Sequence, residues 1–137
     1  MKKNILLVVT LFISAIVFAQ QSGPSASWTE TTYDFGTFKE EDGTQTHTFE
    51  FVNTGNEPLY LTSVKASCGC TAVDYTKEPI QPGGKGYVKA AYNPANRPNR
   101  FNKSITVTTN ETQAPTMLRI MGNVIAKGTQ AEEKDNQ

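Results

Sequence analysis

After residue 19 no stretch of the chain repeats apolar side chains at the 3.6-residue period of a helix, whereas short β-branched and aromatic runs cut by Gly, Pro and Asn recur throughout. That pattern leaves β structure as the only regular option. Seven strands are predicted, near residues 27–35, 44–53, 58–65, 71–76, 85–92, 103–109 and 116–126. In the second, His47, Phe49 and Phe51 share one face and Thr46, Thr48 and Glu50 the other, the alternation of a half-buried strand. The same rule sends Ile105, Val107, Leu118, Ile120 and Val124 inward. A sheet with one apolar face must bury it against another, so the expectation is an all-β, two-sheet sandwich of about seven strands. Turn chemistry agrees with the division. Glu41-Asp42-Gly43, Asn53-Thr54-Gly55-Asn56 and Gln81-Pro82-Gly83-Gly84 are corner sequences, and Asn93-Pro94 cuts off the fifth strand. An antibody-type staple is excluded, because Cys68 and Cys70 are only two residues apart and Trp28 precedes both.

The flanks differ in kind from this middle. Lys2 and Lys3 precede an apolar run, Ile5 to Phe18, broken only by Thr10 and Ser14, and Val17-Phe18-Ala19 suits signal peptidase. Residues 1–19 are therefore expected to be a cleaved signal peptide, which makes the mature protein periplasmic or secreted. The run is shorter than the roughly 20 residues a bilayer span needs, and no transmembrane segment is expected after cleavage. Residues 20–27 read as a flexible lead-in, 28–126 as the sandwich and 127–137 as a disordered polar tail.

Charge narrows the partners. Thirteen Lys+Arg balance thirteen Asp+Glu, and losing Lys2 and Lys3 leaves a formal charge of −2. Without a net basic field, nucleic acid is not an expected partner. One His and two Cys are too few for a structural zinc site, and no cofactor is expected. No Gly-x-Ser-x-Gly elbow occurs and no nucleophile can be matched to His47, so the chain is not read as an enzyme. His47 itself, between phenylalanines, reads as a structural histidine.

Ser67-Cys68-Gly69-Cys70-Thr71 is the most unusual string. Residues two apart on a strand point to one face with Cα atoms about 6.7 Å apart, so closing a disulfide needs a kink, which Gly69 could supply. As a staple the bridge is weak: the loop-entropy expression for a ring of about three residues gives roughly 1.6 kcal/mol. Three readings compete: a tight local disulfide, a redox-responsive dithiol, and a soft-metal site such as a copper carrier. Cys68 and Cys70 would be the metal ligands, with only Met117, Met121 and His47 available to help. Export and the even cysteine count favour the bridge, and so small a ring should be unusually reducible. Glu40-Glu41-Asp42 reads as a solvated acidic turn, and Arg97, Arg100 and Lys103 form a basic loop beside Phe101 that offers a binding contact.

Thr32-Tyr33-Asp34-Phe35-Gly36, Phe51-Val52-Asn53-Thr54-Gly55, Cys68-Gly69-Cys70-Thr71, Ile80-Gln81-Pro82-Gly83-Gly84 and Phe101-Asn102-Lys103-Ser104-Ile105 occur in this order. Together they resemble the successive motifs of the bacterial domain-of-unknown-function family 1573. The resemblance spans about Trp28 to Ala126 and implies an exported, immunoglobulin-like sandwich similar to the ASH and major-sperm-protein group. It implies no activity. It does imply a family role for Cys68, Gly69, Cys70 and Thr71. The expected function is thus a non-enzymatic interaction or structural module that binds another envelope or secreted protein.

Overall fold

The computed structural model describes residues 22–128; the expected signal peptide and residues 129–137 of the expected tail lie outside them. The described residues form eight strands: β1 (Ala26–Trp28), β2 (Thr32–Lys39), β3 (Gln45–Asn53), β4 (Leu61–Ala66), β5 (Thr71–Tyr75), β6 (Lys85–Tyr92), β7 (Asn99–Thr109) and β8 (Thr116–Ile125). They make two four-stranded sheets, ordered β1-β3-β6-β5 and β2-β8-β7-β4. Phe49, Val88, Ala90 and Tyr92 from the first sheet meet Val64, Phe101, Ile105, Val107, Leu118, Ile120 and Val124 from the second in one core. Every residue assigned inward on β7 and β8 from alternation is buried.

The strand expected near 27–35 is two strands in different sheets. β1 pairs antiparallel with β3, and β2 pairs in parallel with β8. Between them Thr29, Glu30 and Thr31 carry the chain across the sandwich, and alternation of side chains does not reveal such a switch of sheet. Residues ahead of Trp28 are paired as well: Ser25 donates its N–H to Asn53 Oδ1 at 3.3 Å, and Gly23 donates to Asn56 Oδ1 at 2.7 Å.

Asn53 organises this end of the molecule. It is fully buried, its amide nitrogen donates to the carbonyls of Glu57 (2.7 Å) and Ile80 (2.8 Å), and its amide oxygen also accepts from Gly55 N–H (3.0 Å). The beginning of β1, the turn after β3 and the strand-like bridge Leu59–Ile80 are thereby tied to one side chain. Gly55 is required there, since a Cβ would land on the Gly23 carbonyl and the Ser25 amide.

The acidic turn is more than a solvated loop. Glu40–Asp42 is one 3-10 turn, and the Glu40 carboxylate accepts N–H bonds from Asn96 (2.8 Å) and Lys127 (3.3 Å). The Asn96 bond, then the Lys127 bond, holds the Glu40 carboxyl below its ordinary range. A carboxylate depressed on folding stabilises the fold above its unfolded pKa and loses that contribution as pH falls through its folded value. In an NMR titration, the Asn96 and Lys127 amide protons should therefore shift together at acid pH, below the ordinary carboxylate range. Glu40→Gln should abolish this shared transition.

Candidate functional site: the Cys68–Cys70 corner and its cationic cleft

β4 ends at Ala66 and β5 begins at Thr71, so Ser67–Cys70 passes the chain from one sheet to the other. Backbone bonds fix both sides of this corner. Ser67 N–H donates to the Ser104 carbonyl (2.9 Å), Ser104 N–H donates to Ser67 Oγ (3.2 Å), and Asn93 N–H donates to the Cys70 carbonyl (2.9 Å). The two sulfurs meet in the disulfide arrangement with Cα atoms 5.3 Å apart, inside the range a bridge needs. Cys70 is buried in the core and Cys68 half-buried above it. The buried Thr71 hydroxyl lies 3.9 Å from the Cys68 sulfur and 3.8 Å from that of Cys70, which gives the threonine of this motif a position under both.

The kink expected at Gly69 is present, since the cysteine Cα atoms lie closer than on an extended strand. Its φ is not positive, and a Cβ built on it would touch nothing within 4 Å, so no contact within the described residues demands a glycine.

The basic residues also lie differently from the expected loop. Only Arg97 and Pro98 are in the loop; Asn99, Arg100 and Lys103 are on β7. Asn96 (φ 59°) and Asn99 (φ 82°) occupy left-handed positions that asparagine tolerates, and Pro98 restricts Arg97 to extended backbone. The Arg97 guanidinium donates back to the carbonyls of Asn93 (3.3 Å) and Ala95 (3.0 Å), which holds it over the corner. Its charge reaches the Tyr92 phenol: burial pushes that pKa up, and Arg97 partly offsets the rise.

These elements enclose an open cleft of about 590 Å³. Tyr92 and Phe101, stacked with centroids 3.8 Å apart and planes at 10°, form its apolar floor. Cys68, Gly69 and Cys70 make one wall, Arg97 and Lys103 supply the charge, and Arg100 stands at the rim on the opposite face of β7 from Phe101. Lys103 has the register parity of buried Phe101 and Ile105, so it projects from the inner face of β7, half-buried. None of the three cations makes an ion pair among the described residues.

The remaining chemistry-bearing residues lie elsewhere. His47 stacks on Tyr33 with centroids 3.6 Å apart, and its Nε2 is 2.7 Å from the Glu30 carboxylate. That is a structural histidine with one nitrogen engaged; its partner Glu30 was not legible in the sequence. Met121 lines a separate hollow of about 390 Å³ beside Asp34 and Gly122, and Met117 is half-exposed. Neither joins the sulfurs. Among the described residues no three His, Cys, Asp or Glu side chains are grouped as a metal would require.

Solved structures are similar to this chain at low identity. A protein of unknown function from Porphyromonas gingivalis is 21% identical, with TM-score 0.66, over 76% of this chain and 48% of that one. A family 123 glycoside hydrolase from Clostridium perfringens is 10% identical, with TM-score 0.61, over 77% of this chain and 27% of that one. A Caenorhabditis elegans major-sperm-protein family member is 14% identical, with TM-score 0.49, over 73% and 97%. The chain thus spans about half the length of the first of these and about a quarter of the second. No curated protein matches it in sequence. The ordered motifs from Thr32 to Ile105 fall within residues 26–124, which match the family model described as protein of unknown function DUF1573, and the chain belongs to that family.

Proposed function

We propose that this domain is an exported, non-enzymatic interaction module of the cell envelope, and that it docks another protein on the side where β4 passes into β5. One observation carries the reading: the sheet edges are managed unequally. On the far side, β1 is three residues long and its Ala26 N–H is taken by the Glu111 carboxylate at 2.8 Å. β2 is interrupted by a register shift between Asp34 and Thr37, with Gly36 N–H bonded to Asp34 (2.8 Å) and Lys39 N–H to Asp42 (2.8 Å). Such short, bulged, carboxylate-blocked edges resist pairing with another chain. β4 too carries a register shift, between Leu61 and Ser63, but no described side chain accepts from its backbone N–H groups or from those of Ala72 to Tyr75 in β5. A strand edge left open in this way is a ready docking surface for an extended segment.

Positional crosslinking tests the proposal. A photoreactive residue at exposed Ala72 should capture a defined protein from envelope extracts that the same group at exposed Glu41 does not. Equal capture from both positions, or turnover of a defined substrate by the purified domain, would overturn it. Export is part of the same reading. Protein recovered from its native cell should begin at Gln20, and an intact Met1 on most molecules would contradict that.

The closed Cys68–Cys70 bridge belongs to this proposal as a feature of shape. Non-reducing mass analysis should give a monomer about 2 Da lighter than the reduced form, the two hydrogens lost on closing one disulfide. Replacing both cysteines by serine is expected to cost about 1–2 kcal/mol in urea unfolding, the worth of so small a ring plus a buried sulfur. Abolished docking with intact stability would instead favour a working thiol site.

A further inference from the structure

We infer that the cleft at the Cys68–Cys70 corner is a strand-addition site for an extended acidic segment of the partner protein, which pairs with the first half of β7. The inference rests on the interaction-module reading and names the occupant of its open side. Its basis is an incomplete ladder. β7 runs from Asn99 to Thr109 and pairs with β8 from Asn99 onward, but β4 pairs with it only as far as Ala66 opposite Ile105. Beyond that point the chain turns away through Ser67–Cys70, and no residue of β4 lies opposite Asn102 or Arg100.

The direction of the vacant backbone groups follows from Ser104. Its N–H bonds to Ser67 Oγ and its carbonyl to Ser67 N–H, so Ser104 faces the β4 side. The β7–β8 register has no shift over this stretch, and alternation therefore turns the N–H and C=O groups of Asn102 and Arg100 to the same side. No strand among the described residues meets them, and those of Arg100 border the cleft. A short extended peptide laid there would continue the line of β4 and satisfy these groups.

Charge selects the peptide. Arg97 and Lys103 border the slot without counter-ions among the described residues, although the protein as a whole carries equal numbers of both signs. Carboxylates at alternate positions of such a segment share one face, and that face turns toward Lys103 and Arg97 above the Tyr92–Phe101 floor. Gly69 supplies an independent indication. Nothing inside the described residues needs a glycine there, yet its bare backbone forms the wall that an incoming chain would pass. Glycine where a second backbone approaches closely is a recurrent use of the residue.

The test uses a fluorescent peptide of alternating threonine and glutamate, titrated into the intact mature protein. Saturable binding is expected, with no binding of the threonine–lysine counterpart. Arg97→Glu combined with Lys103→Glu should weaken it at least about tenfold. Gly69→Phe should weaken it comparably while leaving the melting temperature unchanged, because its side chain enters open space. Backbone N-methylation of the acidic peptide should abolish binding, since strand addition needs its N–H groups. Equal binding of the N-methylated peptide or of free polyglutamate would overturn strand addition in favour of a plain charge contact. Concentration-dependent self-association lost on charge reversal would place a second copy in the slot and equally overturn the proposal. If the acidic peptide fails while the Ala72 crosslink persists, this inference falls and the interaction-module reading stands.

Discussion

Replacing Asn53 by Leu is expected to lower stability by about 4 kcal/mol, because removing a buried hydrogen-bonding hub strands several groups at once. The carbonyls of Glu57 and Ile80 would lose their donor, and the N–H groups of Ser25 and Gly55 their acceptor. Water can reach some of these through a local opening, which keeps the loss below the full sum of their desolvation costs. Asn53→Asp should be milder in its acceptor half, since an oxygen remains for Ser25 and Gly55, but it faces two carbonyls with no proton to offer them. Chemical denaturation of the three proteins checks the order, and a Leu variant within about 1 kcal/mol of wild type would show that the hub is redundant.

Phe101→Ala should cost a comparable amount, about 4 kcal/mol, by opening a cavity that its neighbours cannot fill. Phe101 stacks on Tyr92 and lies within 6.4 Å of the Phe35 ring and 6.1 Å of that of Phe38, so three aromatic rings from both sheets depend on it. Gly122 opposite adapts poorly: a Cβ there would sit 2.8 Å from the Phe101 ring, so the backbone already lies as close as a glycine allows. Phe101→Leu should lose only about 1.5 kcal/mol, keeping much of the volume while removing the stack. The comparison separates packing from the cleft. Leu should preserve the fold yet remove the stacked floor of the cleft.

What could be read from the sequence followed the range over which each signal acts. Alternation along one strand is local, and it placed Phe49, Ile105, Val107, Leu118 and Ile120 on the buried faces without knowledge of their neighbours. The crossing at Thr29–Thr31 was hidden because β1 and β2 alternate alike and differ only in which sheet receives them. In the sequence Arg97, Arg100 and Lys103 read as one basic group, and Cys68 to Cys70 as another feature. That they form a single cleft depends on β4 leaving the ladder at Ala66, which no local pattern encodes. Glu40 illustrates the same limit. Three adjacent acids read as solvated, whereas two of its bonds come from Asn96 and Lys127, far along the chain. Motif matching went further for Asn53-Thr54-Gly55 than periodicity could, and the structure gives that string its physical content in the buried amide and the crowded glycine.

The parallel pairing of β2 with β8 sets the order in which the molecule can be completed. The earliest strand of its sheet finds its only neighbour in the last one, so as the chain emerges β2 must wait until Thr116–Ile125 has appeared. Hairpin neighbours such as β7 and β8 can meet early, but the closing step joins segments most of the domain apart, a kind of contact that slows folding through the entropy of closing a long loop. During that interval the side of β8 that will receive β2 is bare, and the carboxylates of Asp34 and Asp42 travel with the missing strand. The blunted edge is therefore a property of the finished molecule alone. The interval before β2 docks is when the sheet is most open to pairing with another chain.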